Sequence, residues 1–493
     1  MEQKGYDNKA TVKKSSGAPN GKMNQPSARR PSSSSRTSGT KPKASASSPA
    51  VKKEPAANAN KTSTTSKDTS AKKTAVVKAE KAPRAITAKK ERKPRVTKEQ
   101  IKQFLREFLR NEDEVAPRDI VRIKGGIDRP MLIIIILLLC FGSVMVFSSS
   151  YAYALSRYND SYYFIRRQLL FAALGVAAML FITLFDYRTI RKFTNIFYLG
   201  CVGLLAIVLV VGLAQGAAKR WISIGGFFTL QPSELMKLGV VLLLANYYYK
   251  RESFVYSNNF IVSTVNGTIV PAILLAFSCF LVVLEHHISG TIILFLIGMI
   301  VIFVGGAKKR WLAIAGAGAG VIVAFVIFTT SYATKRLDMW IHPENYSAQS
   351  DIWQSLQGLY AVGSGGIFGV GLGNGRQKML FVSMPQNDFI YSILCEELGF
   401  IGAVMVIILF GLFVWRGYKI AQRAPDTFSR LAAIGITSKV GIQALLNIAV
   451  VTGSIPNTGI SLPFFSYGGT SLIVQMAEMG VLLTISRYSS QKK

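Results

Sequence analysis

Residues 336–399 read RLDMWIHPENYSAQSDIWQSLQGLYAVGSGGIFGVGLGNGRQKMLFVSMPQNDFIYSILCEELG and form the long polar interval of an otherwise apolar chain. The interval is rich in glycine and aromatic residues, and it brings a carboxylate, Asp388, to the start of a hydrophobic run. Long segments of this kind between regular elements usually carry binding or catalytic groups. We therefore expect the function of the protein to depend on this interval, with the apolar runs as its scaffold.

The apolar runs around this interval predict membrane-spanning helices. Half of the residues are hydrophobic (50%), and several runs approach the minimum of about 17 residues for a span. The expected fold is an all-α polytopic membrane protein with ten transmembrane helices and a long extracellular loop between the seventh and the eighth. The runs lie at 131–149, 169–185, 193–213, 235–249, 267–285, 290–306, 311–331, 389–415, 431–453 and 470–486.

Basic residues alternate between the two ends of these runs. Lysines and arginines follow the second, fourth, sixth and eighth runs, whereas the loops after the fifth and the ninth contain none. Because basic loops stay in the cytoplasm, both termini should be cytoplasmic and the 332–388 loop external. The basic pairs Arg166–Arg167 and Lys219–Arg220 depart from this pattern, and outside the cell they would suit an anionic ligand.

The N-terminal segment differs in composition from the rest of the chain. The whole chain has a net charge of +32, and residues 1–98 hold 25 Lys/Arg against 6 Asp/Glu. Such a segment cannot bury a core, so residues 1–96 should be a disordered cytoplasmic tail that binds anionic lipids. Residues 97–127 should form an amphipathic juxtamembrane segment, with Thr97–Arg110 lying on the membrane or docking to a partner. Residues 128–488 would then be the ten-helix domain.

Cysteine and histidine give no sign of a disulfide framework or a metal site. The four cysteines all fall inside apolar runs without a C-x-x-C partner. His286 and His287 are adjacent and lack a third ligand nearby, so a zinc site is not expected there.

Two stretches combine charged groups with predicted helices. In KRWISIGGFFTLQPSELMK (219–237), Pro232 begins a helix whose first turn holds Glu234. Lys237 either reaches the membrane surface from this helix or joins Arg220 around a phosphate.

The ninth run carries a polar stripe. Lys439, Gln443 and Asn447 follow each other at four-residue spacing, and Glu478 in the tenth run could pair with Lys439. Both a buried structural pair and a substrate-lining role remain open for these residues.

Asp388 also has two interpretations. It could cap the following helix, or it could act as a catalytic carboxylate. Glu396 and Glu397 lie about 12 Å further along that helix at 1.5 Å per residue, too far to work with Asp388 on one bond. We interpret them as helix-packing or loop-anchoring groups.

At this point the chain resembles the SEDS family (shape, elongation, division and sporulation), of which FtsW, RodA and SpoVE are typical. The resemblance runs from about 128 to 488, is closest to the FtsW/SpoVE branch, and departs from the family pattern at EHHISGT (285–291) and at Asn387. The matching motifs are RWI (220–222), QPSE with Lys237 (231–237), SGT (289–291), QSLQGLYAVGSGGIFGVGLGNGRQK (354–378), PQNDFIYSILCEELGFIG (385–402) and TGISLPFFSYGGTSL (458–472).

The resemblance implies a peptidoglycan glycosyltransferase that polymerises lipid II at the outer face of the bacterial plasma membrane, for division or sporulation. Its partners would be lipid II, a class B penicillin-binding protein and divisome or sporulation proteins, with no nucleic acid. Asp388 would be the catalytic base, and cationic groups or a divalent ion, Mg²⁺ or Mn²⁺, would stabilise the leaving diphosphate. The implied substrate-binding residues are Arg220, Trp221, Lys237, Arg336, Gln354, Ser355, Lys378 and Gln386, and the cavity-lining ones are Lys439, Gln443, Asn447 and Ser466.

Two other classes of function compete with this interpretation. A transporter that flips lipid II would also use ten spans with polar groups in the last two. A non-enzymatic scaffold could recruit the wall-synthesis machinery through the basic tail. The external carboxylate discriminates between them, because polymerisation needs a base and flipping has no evident use for one.

Overall fold

The computed structural model describes residues 122–215, 218–224, 228–329, 331–346 and 352–490. The expected tail (1–96) and the expected helix Thr97–Arg110 lie outside the described residues.

Helices account for most of the described chain, and each of the ten apolar runs coincides with one. Helix α6 contains a π-helical turn at Val265–Ile269, and a short 3₁₀ turn occupies Pro343–Asn345. The helices are α1 (Arg129–Tyr158), α2 (Tyr163–Leu184), α3 (Tyr187–Val211), α4 (Pro232–Lys250), α5 (Glu252–Val255), α6 (Phe260–Leu284), α7 (Ile288–Val304), α8 (Lys309–Thr329), α9 (Ser331–Ile341), α10 (Trp353–Ser364), α11 (Ile390–Gln422), α12 (Thr427–Val451) and α13 (Thr470–Ser486).

Six helices in the described part of the chain are long and apolar enough to cross a membrane, namely α1, α2, α3, α6, α11 and α12. Two more, α7 and α13, are apolar but only 17 residues long. Large apolar side chains such as Leu184 and Val210, each 77% exposed, point away from the protein core. An apolar outer surface of this kind suits lipid rather than water, and the protein is a helical multi-pass membrane protein.

Short strands are present that the all-α expectation missed. Strands β2 (Leu213–Gln215), β3 (Ala218–Ile224) and β4 (Phe228–Leu230) form an antiparallel sheet between α3 and α4. Strands β1 (Arg122–Lys124) and β5 (Tyr488–Ser490) form an antiparallel pair that joins the two ends of the helical domain. Four of these five strands have three residues, which is too short to produce a recognisable alternation in sequence.

The expected 332–388 loop is also more regular than predicted. It contains α9 and α10, and α10 buries the face that carries Gln357, Gly358 and Ala361. The polar and glycine-rich composition concealed this helix, because only about a quarter of its residues are buried and the apolar face is correspondingly narrow.

Helices α4 and α12 form the centre of the domain. Helix α4 packs on α3, α12 and α7, and α12 packs on α11, α4 and α7. Two thirds (67%) of the most apolar part of α12 is buried, against 28% for α3. Lys237 of α4 and Lys439 of α12 are therefore enclosed by protein rather than exposed to lipid.

The glycine-rich segment after α10 pairs with a break in α11. The α11 backbone leaves helical geometry at Gly399 (φ 64°, ψ −164°). Val370 and Gly371 donate backbone hydrogen bonds to the carbonyls of Glu396 and Glu397, both at 3.0 Å, and Phe400 donates to Gly366 at 2.9 Å. The break thus exposes carbonyls that the glycine-rich segment satisfies.

Glycine is required where these two backbones touch. Gly369 has φ +80°, and a Cβ built on it would lie 2.1 Å from the carbonyl oxygen of Glu397. The glycine at this position thus permits close approach to the α11 backbone itself.

We expect Gly369→Ala to lower the free energy of unfolding by about 2–5 kcal/mol, since it adds a left-handed alanine and an overlap that must be relieved. Gly373→Ala is the matched control, because Gly373 also has a positive φ (+86°) but open space around it. It should cost only about 1 kcal/mol. Thermal unfolding of the purified variants in detergent measures both, and equal melting temperatures would contradict the proposed backbone contact.

Candidate functional site

Asp388 lies in the turn that leads into α11 and is partly buried. Helix α11 begins at Ile390 and has Phe389 at its N-cap, with no side-chain capping hydrogen bond. The interpretation of Asp388 as a helix cap is therefore wrong. Among the described residues, its carboxylate has no hydrogen-bond partner, which leaves both oxygens available to a ligand.

The turn that carries Asp388 is held by α12 and by the loop between α12 and α13. Asn447 Nδ2 donates to the carbonyl oxygens of Asp388 (2.8 Å) and Ile460 (2.6 Å). Ser466 Oγ donates to the carbonyl oxygen of Asn387 at 2.8 Å. Asn447 and Ser466, predicted to line a cavity, thus fasten the backbone on either side of the carboxylate.

The electrostatic environment of Asp388 is partly apolar and partly cationic. Burial raises the pKa of Asp388 to about 6, while the guanidinium of Arg336 opposes this shift. Arg336 Nη1 donates to the carbonyl oxygen of Asn457 at 2.6 Å. A Cβ on Gly459 would lie 3.3 Å from Asp388 Oδ2, so glycine keeps the space beside the carboxylate open. The carboxylate can therefore exchange a proton near neutral pH.

A second polar group lies between α6 and α7. Arg220 Nη2 donates to the carbonyl oxygen of His286 at 2.5 Å, and His287 Nδ1 lies 3.2 Å from Ser233 Oγ. Burial raises the pKa of Glu285 to about 8 and lowers that of His287 to about 4, the latter helped by the charge of Arg220. At pH 7 Glu285 is thus mostly protonated and His287 neutral.

This second group connects to the loop beside Asp388. Ser289 Oγ donates to the carbonyl oxygen of Thr458. Thr458 follows Asn457, whose carbonyl oxygen accepts a hydrogen bond from Arg336. Sequence reasoning did not select Glu285 or His287 as site residues. The available signal was a carboxylate ending an apolar run directly before the SGT motif.

Four charged side chains of α4, α12 and α13 form a buried cluster. Lys237 Nζ lies 2.6 Å from Glu234, and Lys439 Nζ lies 2.6 Å from Glu478 and 3.6 Å from Glu234. The predicted pairing of Lys439 with Glu478 is confirmed. Lys237, predicted to face a phosphate, is instead enclosed with these partners, because an unpaired ammonium inside the bundle would be costly.

A small cavity adjoins this cluster. It has a volume of about 20 Å³ and is lined by residues that include Glu234, Gln443 and Ser466, which is room for about one water molecule. Gln443 Nε2 donates to Ser461 at 3.2 Å. Gln443 and Ser466 thus border this small cavity, whereas Lys439 and Asn447 lie outside its lining, and the substrate-lining role of all four stays a prediction.

Lys378 lies in a second buried ion pair. Its Nζ is 2.5 Å from Glu397 Oε1 and 3.2 Å from Ser148 Oγ, and both charged side chains are fully buried. Ser148 Oγ donates to the other oxygen of Glu397 at 2.6 Å. The structure therefore places Lys378 away from any open face on which a diphosphate could bind.

The two glutamates of α11 anchor the polar interval, as predicted. Glu397 holds Lys378, and Glu396 Oε1 accepts the backbone N–H groups of Arg376 (2.7 Å) and Gln377 (3.2 Å).

The remaining predicted residues lie around the Asp388 turn or beside Arg220. Gln354 Nε2 donates to the carbonyl oxygen of Ser383 at 2.8 Å, and Ser355 is half-buried on the same helix. Gln386 is buried two residues before Asp388, and Trp221 is half-buried on β3. The structure thus gathers Asp388, Arg336, Gln386 and Gln354 in one region.

The described residues contain no group of three or more His, Cys, Asp or Glu side chains that could hold a metal ion. In this part of the chain Asp388 offers a single carboxylate, so a divalent ion bound beside it would need most of its ligands from a substrate.

Comparisons with known proteins agree on one family. A family model described as "Cell cycle protein", covering FtsW, RodA and SpoVE, matches residues 129–491. Stage V sporulation protein E of Bacillus subtilis is 41% identical, over 74% of this chain and 98% of that protein. A probable peptidoglycan glycosyltransferase FtsW of Geobacter sulfurreducens is 36% identical, over 73% of this chain and 95% of that protein.

Solved structures show the same similarity. A chain from a peptidoglycan synthase complex that coordinates polymerization and crosslinking superposes with a TM-score of 0.60 at 26% identity, covering 73% of this chain and 98% of that chain. The crystal structure of the rod shape determining protein RodA of Thermus thermophilus gives a TM-score of 0.55 at 25% identity, covering 73% and 97%.

We expect Lys378→Met to lower the free energy of unfolding by about 3–5 kcal/mol, because it leaves the charge of Glu397 buried without a partner. Adding Glu397→Gln should restore part of the loss by removing that charge. Lys309→Met, at an exposed lysine that begins α8, serves as the matched control and should unfold like the unmodified protein. If Lys378→Met proved as stable as this control in thermal unfolding, Lys378 would instead be available for a ligand.

Proposed function

The chain belongs to the family of cell cycle proteins that includes FtsW, RodA and SpoVE, it is a peptidoglycan glycosyltransferase, and we propose that Asp388 is the base with which it polymerises lipid II. The observation that carries this proposal is a partly buried carboxylate without a hydrogen-bond partner among the described residues, with its pKa raised to about 6. A carboxylate with this pKa is mostly ionised at pH 7 and still accepts a proton readily.

The reaction joins the sugars of two lipid-linked substrates. The 4-hydroxyl oxygen of the acceptor GlcNAc forms a bond to the anomeric carbon of the donor MurNAc, while the bond from that carbon to the diphosphate oxygen breaks. The electron pair of the broken bond leaves with the lipid diphosphate, and the hydroxyl proton passes to Asp388. Since the diphosphate is a good leaving group, it needs charge stabilisation and no proton.

Arg336 and Arg220 are the cations that we propose for the diphosphate. Arg336 contributes to the potential at Asp388, and Arg220 belongs to the group linked through Ser289 and Thr458 to the same loop. Lys237 and Lys378 are enclosed in ion pairs and are better suited to a structural role. Participation of Mg²⁺ or Mn²⁺ stays a prediction, with the ion carried by the substrate diphosphate.

We propose ten transmembrane helices with both ends of the chain in the cytoplasm. The coincidence of ten helices with ten apolar runs supports this arrangement, as does the alternation of basic loops. The segment 332–388 would then lie outside, at the interface where lipid-linked sugars meet water. A class B penicillin-binding protein is the proposed partner, since a similar solved chain comes from a complex that coordinates polymerization with crosslinking.

The alternative of a lipid II flippase finds less support in the described residues. Its expected polar groups on α12 and α13 pair with one another in an ion cluster, rather than lining a groove for a lipid.

We expect Asp388→Asn to reduce glycan polymerisation from labelled lipid II by about 10²–10⁴-fold, because the amide keeps the size of the side chain but cannot accept the proton. Asp388→Glu should recover little, since the added methylene shifts the carboxylate by about 1 Å. Asp160→Asn is the matched control, at an exposed surface pair with Arg166, and should leave the rate unchanged. The assay uses the purified protein together with its penicillin-binding protein, and near-normal polymerisation by Asp388→Asn would refute the assignment.

The raised pKa of Asp388 also predicts a pH dependence. Polymerisation should fall as the pH is lowered through about 6, because protonation removes the base. The positive charge of Arg336 lowers the pKa of Asp388, so Arg336→Gln should move this limb of the profile to higher pH. Initial rates measured between about pH 5 and about pH 8 test both statements. If Arg336→Gln had the same pH profile as the unmodified protein, the effect of Arg336 on the pKa of Asp388 would be contradicted.

A further inference from the structure

A cavity of about 450 Å³ lies at the opposite end of α11 from Asp388. It is bounded by the residues that connect β1 to α1, by the last turns of α11 and by the end of α13. Its volume is in the range of about 300–1,000 Å³ that is usual for small-molecule sites. None of the residues proposed for polymerisation lines this cavity.

The cavity is strongly basic. Among the described residues, its lining contains a single acidic residue, Asp128, and five basic ones, which are Arg129, Arg416, Lys419, Arg423 and Arg487. Asp128 is neutralised by Arg416, whose Nε and Nη2 donate to its carboxylate at 2.8–3.1 Å. The other four basic side chains give the lining a net charge of +4.

The walls of this cavity are held rigidly. Asp128 accepts from the backbone N–H of Met131 and caps α1, while its own N–H donates to Ser486 Oγ at 3.1 Å. Gly125 N–H donates to the carbonyl oxygen of Arg487 at 2.7 Å. By contrast, Arg129 and Arg423 are exposed and form no ion pair with the described residues, so their charges are available to a ligand.

The side of α11 next to the cavity faces lipid. Ile408, Leu412 and Trp415 lie on one face of the helix and are 54%, 42% and 53% exposed. Lys419 continues this face, with its Nζ 3.8 Å from the centre of the Trp415 ring. Exposed tryptophan beside lysine is typical of the level of the lipid headgroups, so the apolar face runs from the membrane interior directly to the basic cavity.

We propose that this cavity binds the phosphate headgroup of an anionic phospholipid, whose acyl chains lie along the Ile408–Leu412–Trp415 face of α11. Basic pockets between transmembrane helices on the cytoplasmic side recognise such headgroups. The continuity with a lipid-facing surface favours a phospholipid over a soluble phosphate compound. This site is separate from the proposed site around Asp388.

The test measures binding of dioctanoyl phosphatidylglycerol to the full-length protein in an uncharged detergent, by native mass spectrometry and by thermal stabilisation. A salt concentration of about 0.15 M weakens nonspecific binding to the lysines of the N-terminal tail. The double variant Arg129→Gln/Arg423→Gln should bind about 25-fold more weakly, at about 1 kcal/mol for each basic side chain. The matched control Lys309→Gln/Arg310→Gln removes the same charge from exposed residues outside the cavity and should bind within about two-fold of the unmodified protein.

Several outcomes would overturn the proposal. Dioctanoyl phosphatidylcholine binding as tightly as phosphatidylglycerol would exclude recognition of the anionic headgroup. Inorganic phosphate displacing the lipid at an equal concentration would indicate a site for soluble anions. Equal losses in the two double variants would show that net charge alone decides binding.

A milder variant covers the case in which the double variant does not fold. Lys419→Gln keeps both arginines and removes the cation that stacks on Trp415. It should weaken binding of phosphatidylglycerol by about five-fold. Unchanged binding by Lys419→Gln would remove the link between the cavity and the lipid-facing surface.

Discussion

The hydrogen bonds between the glycine-rich segment and the broken backbone of α11 are the contact on which the site depends. A helix inside a membrane must satisfy its carbonyls internally, and the break at Gly399 leaves some of them without helical partners. Residues 366–371 supply and receive the missing hydrogen bonds. The polar interval is thereby fixed to the same helix that begins just after Asp388.

Charge neutralisation inside the bundle has the same structural purpose. Lys378 with Glu397, and Lys237 and Lys439 with Glu234 and Glu478, are closed groups of opposite charges at short distance. A charge without a partner is costly in this environment, whereas a matched pair fixes which helices lie side by side. The Lys439 pairs therefore link α12 to α4 and α13, and the Lys378–Glu397 pair ties the polar interval to α11.

The two ends of α11 lie in chemically different surroundings. At one end a single carboxylate with a raised pKa lies among half-buried polar groups. At the other end a basic cavity adjoins an apolar, lipid-facing surface. In our proposals both ends bind phosphate-containing lipids, with reaction chemistry at the first and charge recognition alone at the second.

The amino-acid sequence by itself determined the membrane character and the positions of the helices that coincide with the apolar runs, and it singled out Asp388 as the candidate base. Helix positions follow from apolar length, and the choice of Asp388 follows from a carboxylate at the boundary of an apolar run, so both rest on local properties. The pairing of Lys439 with Glu478 was also predictable, because few acidic partners exist within the spans.

Only the tertiary structure decided which cations are available to a ligand. Lys378 and Lys237 belong to family-like motifs and looked like anion ligands, yet Glu397 and Glu234 enclose them. In the same way, Glu285 and His287 gained shifted pKa values from burial against Arg220 and Ser233, which lie over fifty residues away in the chain. Burial and pairing depend on which helices meet, and a one-dimensional pattern of residue types does not contain that information.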